Sequence, residues 1–409
     1  MKRLIVVAAL TLAGAGDAAA EGALHPPISI QSDVGFSNCS CVTSGAGTTS
    51  SPYVIGPMSI NSVAGDAVYI DGTSLTKSFV LSNLTIAGAS AQNSHGIVLI
   101  HINSSGTQSI IAAVQGKATS IQHFDVGVYI ANSNYVSLDG DGENPKGAGI
   151  GETGAGTINK HRTGAIDVET SSNITIRGWQ MSASGPSFQP DWVTLDPSVA
   201  RWAVGGVRFF GVTNSVIDHN AFNNCTDNSV SLFASSSNTV SNNTADYPFT
   251  MNFLVADGSS YNLLSGNVAS TGDFIGYMIA DPLPGTDTLT LYGPSHDNVM
   301  TGNISHSDGP TGTEVHSGVA PAFLGGFVIL NGAYNNHILN NQDWSSIGAG
   351  FAWAQAVPTP LTPIGVANYP PALHCNVTAF DGGPGLANLN GNVWSGNVTK
   401  TIDACIPPQ

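Results

Sequence analysis

The chain is 409 residues long, with 48 glycines, only 9% charged residues and a formal charge of −16. No basic stripe offsets phosphate repulsion, which excludes nucleic acid as a partner, and no polybasic segment suits an anionic membrane surface. A hydrophobic fraction of 42% is enough for an ordered core rather than a disordered chain.

Met1-Lys-Arg, then Leu4-Ile-Val-Val-Ala-Ala-Leu10 and Ala18-Ala-Ala20, read as the charged, apolar and cleavage regions of a bacterial-type signal peptide over 1–20. No later stretch reaches the ~18 uninterrupted apolar residues of a membrane span. A secreted or periplasmic protein without membrane insertion is expected. Residues 61–409 read as one domain, and 21–60 as an N-terminal cap segment over its open end.

That domain is recognised by its repeat. Ser215-Val-Ile-Asp-His-Asn220, Asn238-Thr-Val-Ser-Asn-Asn243 and Asn262-Leu-Leu-Ser-Gly-Asn267 start 23 and 24 residues apart. Each comes after a short alternating run: Val207-Arg-Phe-Phe210, Val230-Ser-Leu-Phe233 and Phe253-Leu-Val-Ala256. A period in the twenties with two strand-like patterns and no helical stripe predicts a solenoid of strands. Stacking one coil on the next buries inward residues that no coil covers by itself. Val207 and Phe209 are expected inward, Arg208 and Ser231 outward. Asn220, Asn243 and Asn267 are expected to occupy tight corners and to stack as an amide ladder. Similar patterns at 83–88, 96–100, 127–138, 165–178, 277–280, 298–303, 327–341 and 392–397 give roughly 9–11 coils of an all-β parallel β-helix. Insertions at 139–162, 184–203, 282–295, 308–324 and 358–371 are expected to wall one flank.

Of five cysteines, Cys375 and Cys405 bracket the last coil and are the first choice for a disulfide closing the C-terminal end. Cys39 and Cys41 pair with each other or with separate partners, and Cys225 fits a buried free thiol.

This pattern, over about residues 80–400, resembles the right-handed parallel β-helix superfamily, which includes pectate lyase-like enzymes, polygalacturonases, alginate epimerases and NosD-like periplasmic proteins. In the family's lyases and epimerases the catalytic groups lie on an outer groove. Cys225-Thr-Asp-Asn228 and Ser94-His-Gly96 do not assemble the polygalacturonase set, and the Asp-Pro-His-Asp signature of alginate epimerases is absent.

The cationic residues are unevenly placed. Of nine Lys and Arg after the signal segment, six lie between Lys146 and Arg208, and none from Phe209 to Val398. Asp167 and Glu169 are expected to point outward from one coil and Arg208 from the next, about 4.8 Å away. Such a groove suits an acidic polysaccharide and lyase or C5-epimerase chemistry: Arg208 as carboxylate clamp, Lys160 or His161 as base or acid, Asp167 and Glu169 as orienting groups. Arg162, Asp191, Trp192, Arg201 and Trp202 on the adjoining insertions would bind the sugar chain. His306, Asp308, Glu314 and His316 form a candidate transition-metal set, matching the copper handling of NosD-like proteins. Outward Asp246, Asp257 and Asp273 suit Ca2+, and the sequence establishes no cofactor beyond that candidate. The alternative to an enzyme is an adhesin-like glycan-binding β-helix, and a third reading is a NosD-like metal-handling protein. A homo-oligomer is compatible with all three.

Overall fold

In the computed structural model the chain winds into a right-handed parallel β-helix with three sheets. The structure describes residues 24–62, 64–140, 155–182, 184, 205–225, 228–246, 248, 251–270, 275–280, 293–306, 325–330, 333–344, 349–354 and 391–399. Sheet I holds 12 strands, from Leu24–His25 to Val398–Thr399; sheet II holds 12, from Val42–Ser44 to Val393–Ser395; sheet III holds 11, from Ile28–Ile30 to Ala349–Ala354. One representative coil runs Gly205–Phe210 in sheet III, Val216–Asp218 in sheet II and Ala221–Asn223 in sheet I. Pairing between coils is parallel throughout these strands, except for the antiparallel pair of Val42–Ser44 with Tyr53–Ile55.

The winding starts earlier than the repeat suggested. Leu24–His25 pairs with Met58–Asn61 and Ile28–Ile30 with Val68–Asp71, so residues assigned to a cap already contribute strands. Their alternation lasts only Ile28-Ser-Ile30, too short to register as a repeat. Helix Asp33–Asn38 places Phe36 in the core beside Tyr53 and Phe79. Cys39 and Cys41 form a disulfide just after it. Cys225 is buried and free, and burial pushes its thiol up to about 12. Cys375 and Cys405 lie outside the described residues.

The core has the expected register. Val207 pairs with Val230 and Phe209 with Leu232, and all four are buried. Further along, Phe253, Tyr277 and Phe327 stack with centroids 4.9 and 4.6 Å apart. The outward side of sheet III departs from expectation. Arg208, Ser231, Leu254 and Met278 occupy successive outward positions, yet none is more than 2% exposed.

The asparagine ladder is present and longer than three rungs. Asn220 Nδ2 donates to Asn243 Oδ1 at 3.0 Å and Asn243 Nδ2 to Asn267 Oδ1 at 2.9 Å, continuing through Asn303, Asn341 and Asn397. A parallel ladder runs Asn238, Asn262, Asn298, Asn336, Asn392. The corner role assigned to these asparagines is corrected. The left-handed residue is the one before the rung, as at His219 and Asn242, while the rungs themselves are buried. They serve to satisfy backbone groups at the bend: Asn243 Oδ1 accepts from Asn220 N, and its Nδ2 donates to Ile217 O. Asn243→Ala strands both groups in the interior and is expected to cost roughly 2–4 kcal/mol, read from chemical denaturation.

Candidate functional site

The predicted column of charge exists. Asp167 pairs in register with Arg208 and Glu169 with Phe210. Arg208 Nε donates to Asp167 Oδ1 at 2.9 Å, and Nη2 donates to Asp167 Oδ2 and Glu169 Oε1, each at 2.6 Å. The expected accessibility is corrected. Side-chain exposure is 1% for Arg208 and 7% for Asp167, against 23% for Glu169. A guanidinium committed to two carboxylates in a dry setting is not available to clamp a substrate carboxylate. Burial raises the Asp167 carboxyl, against the pull of Arg208.

His161 is likewise a structural group. Its Nδ1 accepts from Phe124 N at 3.3 Å and its Nε2 donates to Ile121 O at 3.1 Å, so neither nitrogen is left for proton transfer. Glycine at 127 leaves room for it, since a Cβ there would lie 2.8 Å from Nε2 and closer still to Ile158 and the Ala165 carbonyl. Burial holds its pKa down to about 4, against an ordinary 6.5. The unfolded chain therefore takes up a proton below pH 6.5 that the fold refuses, and stability falls as pH drops through that window towards 4. Between pH 7 and 5 this one residue is expected to remove about 2 kcal/mol, and His161→Gln should flatten that slope in denaturation curves.

Lys160 and Arg162 flank it, both exposed. Lys160 sits in the left-handed region at the corner between sheets I and III. Arg162 Nη1 lies 3.4 Å from Asp125 Oδ1, with half of the side chain in solvent. Thr163 Oγ1 donates to the same oxygen, and Asn93 N donates to Asp125 Oδ2 at 2.7 Å. Asp191, Trp192, Arg201 and Trp202, together with Asp308, Glu314, His316 and Asp273, lie outside the described residues. His306 is an exposed residue on sheet I. Among the described residues no group of three His, Cys, Asp or Glu side chains is placed to hold a metal ion.

Stacking adds Asp66 and Tyr129, which the linear sequence does not single out, and gives partners to His95, met there only within Ser94-His-Gly96. His95 pairs with Val126, and Tyr129 with Asp167, so sheet III lines them up ahead of the Asp167–Arg208–Glu169 cluster. His95 Nδ1 donates to Asp66 Oδ1 at 2.7 Å, and its backbone N donates to the same oxygen at 3.0 Å. The carboxylate fixes the tautomer and leaves the lone pair on Nε2. The imidazole and phenol centroids are 5.3 Å apart, and Tyr129 Oη donates to Glu169 Oε2 at 3.1 Å. Burial, then the neighbouring Glu169 and Asp167 carboxylates, push the Tyr129 hydroxyl well above the ordinary phenol range and keep it protonated. Asp66, His95 and Glu169 are about a quarter exposed. The result is a partly open rim in which a base with an oriented lone pair faces a phenol that holds its proton. Arg208 lies beneath it, bonded to the same Glu169 carboxylate that accepts from Tyr129.

No protein-family model matches the sequence, and no curated protein is similar to it. The winding is similar to that of solved β-helix structures. DFA-IIIase from Arthrobacter chlorophenolicus A6 is 11% identical with a TM-score of 0.42, over 82% of this chain and 67% of that one. An alginate lyase from Paenibacillus sp. str. FPU-7 is 11% identical with a TM-score of 0.31, over 80% and 99%. The catalytic domain of a GH87 α-1,3-glucanase is 8% identical with a TM-score of 0.30, over 83% and 64%. The assignment as a parallel β-helix rests on the strand order and pairing of the chain itself.

Proposed function

We propose that this is an exported carbohydrate-active β-helix protein that acts on an acidic polysaccharide, removing the proton at C5 of a uronate in a lyase or epimerase reaction. The observation that supports it is the Asp66–His95–Tyr129–Glu169 row, which supplies one base and one acid side by side. His95 Nε2 takes the C5 proton, and the electron pair forms the C4=C5 bond as the C4–O bond breaks. The departing oxygen takes the Tyr129 proton, a feasible transfer because a sugar alkoxide is at least as strong a base as a phenolate. In epimerisation the C4–O bond stays intact, His95 gives its proton up to solvent, and a different proton, supplied by solvent, adds to C5 from the opposite face. Arg162 and Lys160 replace Arg208 as the groups that meet the substrate carboxylate. The Cys39–Cys41 disulfide accords with an oxidising, exported setting.

The test is absorbance at 235 nm, with NMR for epimerised residues, on incubation with alginate, pectate and glycosaminoglycans. Unsaturated or epimerised product from one of these polymers is expected. No product from any polymer would overturn the proposal. The uncharged Ser, Thr and Asn faces after Phe209 favour a second reading, a non-catalytic glycan-binding protein. That reading is supported if polymer binding without turnover survives both Arg162→Ala and Lys160→Ala.

A further inference from the structure

A second run of aromatic side chains lies at another corner, between sheets III and II. Isolated bridges stack Ser236, Ser260, His296 and Tyr334 on successive coils. The residue after each is left-handed: Ser237, Tyr261, Asp297 and Asn335, as are Tyr135, Asn173 and Asn214 on earlier coils, and of the two tyrosines Tyr261 is the exposed one. Asn, Asp and Ser suit that conformation, whereas a bulky aromatic is disfavoured there. Tyr261 nevertheless occupies it at φ 56° with 62% of its surface exposed, so little packing offsets the conformational cost. Its ring stands edge-on to His296 at 5.6 Å, and His296 stacks on Tyr334 at 4.9 Å. His296 Nδ1 donates to Asp297 Oδ2 at 2.7 Å, and Leu263 extends the apolar surface. Residues kept in costly conformations concentrate where function demands them, and exposed aromatic patches mark binding surfaces.

We propose that Tyr261, His296, Tyr334 and Asp297 form a second glycan-contact surface, taking an uncharged sugar chain that runs along the helix axis. Tyr261, edge-on to His296, is free to lay a ring face on a sugar's C–H surface, and the partly buried, stacked His296 and Tyr334 continue the contact with their edges over two further coils. The Asp297 carboxylate is placed to accept from its hydroxyls. Charge selects the class: no Lys or Arg occurs from Phe209 to Val398, so nothing on this stretch of chain neutralises a polyanion. The inference is independent of the C5 chemistry and uses none of its residues.

The experiment is affinity electrophoresis of the full chain in gels containing dextran, xylan, galactomannan or mixed-linkage β-glucan. The wild-type protein is expected to be retarded in at least one gel. Tyr261→Asn, the residue found at this corner at Asn173, Asn214 and Asn335, is expected to weaken that retardation at least tenfold while Tm holds or rises. Tyr334→Ala is expected to weaken it with the fold intact by circular dichroism, and His95→Ala to leave it unchanged. No retardation in any gel, or undiminished retardation of Tyr261→Asn, would overturn the proposal. So would a wild-type dimer that Tyr261→Asn dissociates without any gel effect, which would assign the patch to self-association.

Discussion

His95→Ala is expected to lower kcat/KM on the responsive polyuronate by about 100- to 10,000-fold, the range of a positioned general base. Thermal stability should change little, because the side chain is partly exposed and its main-chain bond to Asp66 survives the substitution. Tyr129→Phe should give a loss of the same order. It removes the transferable proton and keeps the ring that packs 5.3 Å from His95. Asp66→Asn should be intermediate, since it leaves a partner for Nδ1 but no longer favours the charge that His95 gains on accepting the C5 proton. Initial rates at 235 nm alongside thermal melts check all three. Losses that track Tm rather than the substituted group would assign the row to folding instead of proton transfer.

Arg208→Ala is expected to cost about 3–5 kcal/mol of folding stability, the range for removing one partner of a buried ion pair. It leaves Asp167 buried without the guanidinium that both its oxygens use. Arg208→Lys should rescue little, because an ammonium cannot make the two-pronged contact with Asp167 while also reaching Glu169. Arg208→Met combined with Asp167→Leu should restore much of the loss, since removing both charges leaves no uncompensated group. Denaturant midpoints at constant slope are the measurement. In the rescued double variant Tyr129 and Glu169 lose their support, so activity should stay low while stability returns. That split separates a positioning residue from a purely structural one.

The architecture was legible because alternation within strands and the recurring asparagine are both local and periodic. Val207, Phe209, Val230 and Leu232 follow from period two, and the Asp167–Arg208 pairing from coil register. Burial of the outer face was legible only in part. Leu254 and Met278 stand at outward positions inside Phe253-Leu-Val-Ala256 and Tyr277-Met-Ile-Ala280, and continuous apolar runs mark strands covered on both faces. That signal places Arg208 in an internal ion pair rather than in a substrate clamp. The grouping of Asp66, His95 and Tyr129 escaped because no short motif joins residues 66, 95 and 129. They meet only when three coils are stacked, and nothing in Ser94-His-Gly96 alone says which carboxylate holds the imidazole. His161 misled for the opposite reason. Its neighbours Lys160 and Arg162 are exposed, but the chain turns inward between them and places the ring over Gly127.

The most direct test of C5 proton transfer tracks deuterium from solvent. The polyuronate that responds at 235 nm is incubated in D2O with wild-type protein and with His95→Ala, and NMR reads C5 of the product. Proton abstraction by His95 predicts C4–C5 unsaturation or deuterium at C5 with the wild-type protein, formed at least about 100-fold more slowly with His95→Ala. Equal C5 chemistry in both proteins, or unchanged C5–H in both, would contradict it.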